Sequence, residues 1–119
     1  MDIANEFLDL TNNKHDIVGA VALMASDIHF VGPVMELKGA QEYKGILEKF
    51  LPVHGGWKKL AEFENGSEAC VIDEIYIKSP AGDSFTIKLA EWFTVRDGKI
   101  MKHAIYYDPR EFMKVFGMQ

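Results

Sequence analysis

Four long runs of alternating apolar and polar residues fill the second half of the chain, at 57–65, 68–78, 84–95 and 99–107. The signals between them are short: Asn65-Gly66, Ser79-Pro80-Ala81-Gly82 and Asp97-Gly98, all of them turn chemistry. Connections this short force consecutive strands to pair antiparallel. Runs of this length exceed the usual strand of about five or six residues, and long strands twist and curl. The chain is therefore constrained to a bent antiparallel sheet, with the first half supplying what packs into its hollow.

The first half reads as helical. Ile3, Phe7, Leu8 and Leu10 give an amphipathic spacing closed by Thr11-Asn12-Asn13. Asp16 is placed to N-cap a second helix carrying Ile17, Val18, Val21, Leu23 and Met24. A short extended piece, 28–31, breaks at Gly32-Pro33. Tyr43, Ile46, Leu47, Phe50 and Leu51 recur at helical spacing, and Pro52 with Gly55-Gly56 ends that helix. At the far end, Asp108-Pro109 predicts an N-cap followed by proline at the first helical position, opening a short helix with Phe112, Val115 and Phe116. With no repeat, low-complexity tract or linker, residues 1–119 are expected to form a single domain.

Composition narrows the class. Hydrophobic residues make up 48% of the chain, enough for a core, so wholesale disorder is excluded. A net charge of −5 argues against a nucleic-acid partner. A single cysteine, Cys70, allows no internal disulfide and fits a reducing compartment. The N-terminal residues lack the basic-then-apolar pattern of a signal peptide, and no run approaches the length of a membrane span. The expectation is a soluble, cytoplasmic protein with no membrane partner.

Chemistry concentrates on the strand at 84–95. Its odd positions, Phe85, Ile87, Leu89, Glu91, Phe93 and Val95, form the core face, and Glu91 is the polar exception among them. A buried carboxylate needs a partner, a proton or water. A hydrogen bond to backbone or to a buried water would satisfy it structurally. The next strand carries Met101, His103, Ile105 and Tyr107 on one face. A two-residue Asp97-Gly98 turn would set Phe93 opposite Lys102, placing a lysine in the core. A three-residue loop, Arg96-Asp97-Gly98, sets Phe93 opposite Met101, Trp92 opposite Lys102 and Glu91 opposite His103. This second register sorts every side chain and is the one expected. The strand at 68–78 can turn either Asp73 or Glu74 inward; the preferred register pairs Glu74 with Lys88 on the outer face and sends Asp73 inward, diagonal to Glu91. Two carboxyls and an imidazole would then converge on an apolar surface, raising at least one carboxyl pKa.

Glu91 and His103 are the candidate catalytic residues. Asp73, Phe93, Met101, Ile105, Tyr107, His29 and Trp57 are candidate pocket residues, with the orientation of His29 open. His54, beside Gly55-Gly56, is expected to be solvated, and His15 lies at a helix start. No Cys/His spacing suggests a metal site, and neither a phosphate-binding glycine loop nor a nucleophile elbow is present, so no cofactor is expected.

The order of elements, together with Lys38-Gly39-Ala40-Gln41-Glu42-Tyr43, the hairpin Glu91-Trp92-Phe93-Thr94-Val95-Arg96-Asp97-Gly98-Lys99-Ile100 and His103-Ala104-Ile105-Tyr106-Tyr107-Asp108, resembles the SnoaL-like branch of the nuclear-transport-factor-2-like superfamily. That superfamily includes ketosteroid isomerase, limonene epoxide hydrolase and polyketide cyclases. The resemblance covers nearly the whole chain. It implies an α+β fold: a cone-shaped, strongly curved, mostly antiparallel sheet wrapped around N-terminal helices, with a cavity between them and commonly a homodimer through the sheet. The familiar catalytic residues mostly do not carry over. Ketosteroid isomerases place a base Asp where this chain has Ile28-His29-Phe30-Val31, and an oxyanion tyrosine where it has Phe7 and Leu8. Glu91 matches the position of their protonated oxyanion-hole Asp. The Arg between two Asp of the epoxide hydrolases has no counterpart, since the arginines here are Arg96 and Arg110. The last-strand Asp of the cyclases falls at Ile105.

Two readings follow. In one, the cone binds a small, mostly hydrophobic molecule, with His103 as general base or acid and Glu91 as its orienter or as a donor to an oxyanion, in an isomerase, dehydratase or cyclase acting by proton transfer. In the other, the chain is a non-catalytic dimeric ligand-binding or accessory module, with Trp92, Ala90 and Ile72 forming the interface.

Overall fold

The computed structural model describes residues 1–80 and 83–116; the Ala81-Gly82 part of the expected second turn lies outside them. Helices α1 (Asp2–Asn12) and α2 (Ile17–Ala22) open the chain. Strands β1 (Met24–Val31) and β2 (Glu36–Lys38) follow, then α3 (Ala40–Phe50) and a 3-10 turn at Leu51–Val53. The long strands are β3 (His54–Asn65), β4 (Glu68–Ile77), β5 (Phe85–Arg96) and β6 (Lys99–Tyr106), and α4 (Arg110–Val115) closes the described chain. None of the described helices is long and apolar enough to cross a membrane.

All six strands form one sheet in the order β2-β1-β6-β5-β4-β3. Every neighbouring pair is antiparallel except β1 and β6, which run parallel. Irregularities in β3 at His54/Gly56 and Lys59/Ala61, and between β5 and β6 at Thr94/Val95, add twist of the kind that bends a long sheet around its filling. The result is the expected α+β architecture, a curved, mostly antiparallel sheet with the N-terminal helices in its hollow. Ala4, Phe7 and Leu8 of α1 and Tyr43 and Leu47 of α3 pack there against Val71, Phe93 and Ile100.

Several local features follow from single residues. The side chain of Asp16 caps α2 by accepting the Gly19 backbone N–H at 2.9 Å. Leu23 and Met24 leave that helix, and Met24 begins β1 instead. The terminal cap sits one residue later than expected: Pro109 is the N-cap and Arg110 the first helical residue, while Asp108 Oδ1 accepts the Arg110 backbone N–H.

The β5–β6 hairpin corrects the expected register. Its turn is the two-residue one: Arg96 pairs with Lys99, and Asp97 and Gly98 both have positive φ, at 53° and 73°. That is the primed turn suited to a right-twisted hairpin. Met101 then bulges out, because Val95 pairs with Ile100 and Thr94 with Lys102. The extra residue restores the sorting of faces that a plain two-residue turn would have lost. Phe93 therefore lies opposite His103 rather than Met101, Trp92 opposite Ala104, and Glu91 opposite Ile105 rather than His103. The β4–β5 register is the expected one, with Glu74 opposite Lys88 and Asp73 inward beside Leu89.

Candidate functional site

A cavity of about 410 Å³ lies between the helices and the inner face of the sheet. Phe7, Phe30, Leu47, Ile75, Ile87 and Leu89 make most of its wall apolar, and Phe112 and Phe116 reach it from the C-terminal segment. Polar groups enter at few places. Glu91, His103 and Tyr43 stand together in the wall; Thr11 and Asn12 come from the end of α1; Lys49 and Tyr107 also line it. This is the composition of a site for a mostly hydrophobic small molecule.

The first three polar residues form a chain. Glu91 Oε1 lies 2.8 Å from His103 Nε2, and the Tyr43 hydroxyl lies 2.6 Å from His103 Nδ1. Although Glu91 and His103 are not directly opposed across the ladder, they share the inner face as diagonal neighbours, and their side chains span the gap. Tyr43 reaches them from α3. Both ring nitrogens of His103 are thus engaged, so the imidazole links Glu91 to Tyr43. Behind Glu91, away from the cavity, Asp73 is fully buried, and its Oδ2 accepts the Trp57 indole N–H at 2.7 Å.

Burial sets the charges. His103 stacks on Phe93 at 4.2 Å between centroids and meets Phe7 and Phe30 edge-on, each at 5.5 Å. Desolvation in this aromatic box lowers its pKa to about 3, so the ring is neutral at physiological pH. Desolvation also raises the pKa of Glu91. It raises Asp73 to about 9, with the neighbouring Glu91 adding to the effect. The Tyr43 hydroxyl is raised well above its ordinary value by burial and by Glu91, and stays protonated.

The other expected pocket residues are distributed differently. Ile105 and Tyr107 line the cavity. Phe93, fully buried, is the platform under His103 and does not reach the cavity. Met101, half-buried on its bulge, lies outside it. Asp73 and Trp57 form a bonded pair on the inner face of the sheet that does not line the cavity. His29 turns outward from β1 and pairs with Glu36. His54 is buried rather than solvated: it bonds Asn12 at 2.8 Å, and burial lowers its pKa. Among the described residues, no group of three or more His, Cys, Asp or Glu is arranged so that it could hold a metal ion.

Sequence reasoning missed Tyr43, Thr11 and Asn12. Tyr43 was visible as a helix position facing the core. A tyrosine there needs a partner for its hydroxyl, and that requirement is the signal that could have found it.

A curved sheet closing over an apolar cavity with a small polar cluster in its wall defines a class of α+β cones. The SnoaL-like domain family matches residues 4–103, and the chain belongs to it. No curated protein matches the chain. Among solved structures, an NTF2-like protein of unknown function from Cytophaga hutchinsonii is similar at 24% identity, with 94% of this chain and 92% of that one covered and a TM-score of 0.78. A candidate polyketide cyclase from Xanthomonas campestris is similar at 16% identity, with coverage of 96% and 93% and a TM-score of 0.81. A protein of ketosteroid isomerase-like fold from Catenulispora acidiphila, in complex with trimethylamine, is similar at 14% identity, with coverage of 99% and 94% and a TM-score of 0.79. At these identities the likeness establishes the fold.

Proposed function

We propose that this protein catalyses proton transfer on a small, mostly hydrophobic molecule bearing a carbonyl or hydroxyl group, as an isomerase, dehydratase or cyclase. The observation that carries the reading is the Tyr43–His103–Glu91 chain set in the wall of an apolar cavity. A neutral imidazole bonded on both nitrogens passes protons without holding charge, so acid–base work is shared by the groups at its two ends. The family and the candidate polyketide cyclase of like fold support reactions of this type.

The test uses exchange of the acidic hydrogens of an aryl ketone, 2-tetralone, followed by proton NMR in D2O. The protein should speed exchange over buffer. Tyr43→Phe and Glu91→Gln should each slow it by about 10²-fold or more, the usual share of a positioned acid–base group. Either 2-tetralone bound without exchange above buffer, or no binding and no exchange, overturns the reading.

The outer face of the sheet favours a second property, association. Phe63, Cys70, Trp92 and Ala104 align as one cross-strand row, and Ala61, Ile72, Ala90 and Tyr106 as the next. Trp92, Tyr106 and Phe63 are 40%, 54% and 62% exposed. Such a surface supports a homodimer through the sheet, as a catalytic protein or as a dimeric ligand-binding or accessory module.

A further inference from the structure

Two buried oxygens behind the cavity, Asp73 Oδ1 and Glu91 Oε2, have no donor within reach among the described residues. The other oxygen of each carboxyl is already used: Asp73 Oδ2 accepts from Trp57, and Glu91 Oε1 faces His103. Asp73 lies opposite Leu89, and so is the diagonal neighbour of Glu91 on the inner face. Two unpartnered carboxyl oxygens buried on adjacent side chains are both satisfied by one proton held between them.

We infer that Asp73 is a positioning residue that sets the direction of the proton chain by sharing one proton with Glu91. At whichever end of the Asp73–Glu91 bond the proton sits, Glu91 Oε1 is left bare. His103 must then donate from Nε2 to that oxygen, and its Nδ1 must accept the Tyr43 hydroxyl proton. In the resting protein the chain runs from Tyr43 through His103 to Glu91 and is set to take a proton from the ligand. A ligand C–H beside a carbonyl gives its proton to the Tyr43 oxygen. The Tyr43 proton passes to His103 Nδ1, and the Nε2 proton passes to Glu91 Oε1. The electron pair stays on the ligand as an enolate, and the single negative charge moves there from the carboxyl pair; return of the proton reverses the sequence. The favoured ligand class is therefore a carbon acid. The raised pKa of Asp73 fits a pair that keeps its proton at neutral pH, and the pair titrates as a unit.

This inference deepens the proton-transfer reading and takes its catalytic meaning from it, but its test needs no ligand. A protein that fails to exchange 2-tetralone can still pass it. The experiment is nitrogen-15 NMR of the His103 ring in the free protein at neutral pH. The expected tautomer is Nε2–H. Asp73→Asn should keep it, because the amide N–H still donates to Glu91 Oε2 while the amide oxygen accepts from Trp57. Asp73→Leu removes the donor, so Glu91 takes a proton of its own, keeps it on Oε1 and donates it in a hydrogen bond to a bare Nε2, and the ring should switch to Nδ1–H. Nδ1–H or imidazolium in the native protein or in Asp73→Asn overturns the inference, and so does Nε2–H persisting in a folded Asp73→Leu. If the leucine variant does not fold, the first two proteins decide.

Discussion

His103 has Phe93 stacked beneath it, Phe7 and Phe30 meeting it edge-on, and the Tyr43 ring nearly parallel to it. No water-like surroundings remain to solvate an imidazolium, which is why the ring resists protonation. Asp73 resists ionisation for the same reason. These two shifts act on stability in opposite senses. Below the ordinary histidine value of 6.5 and down to about 3, the unfolded chain binds a proton that folded His103 refuses, so stability falls as pH falls. Between the ordinary aspartate value of 3.8 and about 9, folded Asp73 keeps a proton that the unfolded chain has lost, so stability falls as pH rises. The two effects offset each other between 3.8 and 6.5, and only the carboxyl effect acts from 6.5 to 9. Urea unfolding should therefore show an alkaline loss over that last window, with a slope of up to ~1.4 kcal/mol per pH unit for the proton released. Asp73→Asn, which has no proton to lose, should flatten that loss. An equal alkaline slope in both proteins would show that Asp73 is ionised in the fold. The sequence made Glu91 legible because alternation leaves it as a polar intruder on an apolar face. It concealed Tyr43, because helical spacing marks a tyrosine as core without saying what its hydroxyl meets.

The long hairpins show what pattern reading can reach and where it stops. Turn residues and alternation located β3 to β6 to within a few residues, and charge pairing of Glu74 with Lys88 favoured the β4–β5 register that the fold adopts over the one turning Glu74 inward. At β5–β6, rejecting a two-residue turn because it buries Lys102 was sound for a regular ladder. The chain instead keeps the tight turn and inserts Met101, so Lys102 stays outward beside Trp92, its Nζ 5.7 Å from the ring centroid. A bulge leaves little signature in a methionine, so the face of each residue was legible and its partner was not. β2, three residues long, and the buried place of His54 also depend on tertiary contacts: β2 pairs only through β1, and His54 is held by Asn12 from α1. The turn itself can be tested. Gly98 has φ +73° and open space where a methyl group would point, so its backbone conformation alone is at issue. Gly98→Ala should lower stability by about 1–2 kcal/mol, the cost of placing an L side chain in the left-handed region. Chemical denaturation measures it. A loss near zero would mean that the hairpin does not depend on this turn.

At the scale of the molecule, the sheet separates the cavity from the exposed aromatic rows by face. The concave side holds the cavity and the Tyr43–His103–Glu91 chain, while Trp92 and Tyr106 project from the convex side. Strand alternation makes this separation possible, since Trp92 lies between Glu91 and Phe93 in sequence and on the opposite face in space. Trp92 is not wholly free. Its indole N–H donates to Glu68 at 2.7 Å, which restrains the ring. A second copy of the chain related by a two-fold axis would bring the two apolar rows against each other and remove them from water. Sedimentation of the native protein at micromolar concentration should give a species of twice the 13.5 kDa chain mass. Trp92→Glu should shift it to the monomer by placing a charge at the centre of the interface, where desolvation makes it costly. Because the substitution leaves the concave face untouched, the His103 tautomer should not change. A native protein that sediments only at the single-chain mass would rule out the interface, and a Trp92→Glu variant that stays dimeric would place it elsewhere on the surface.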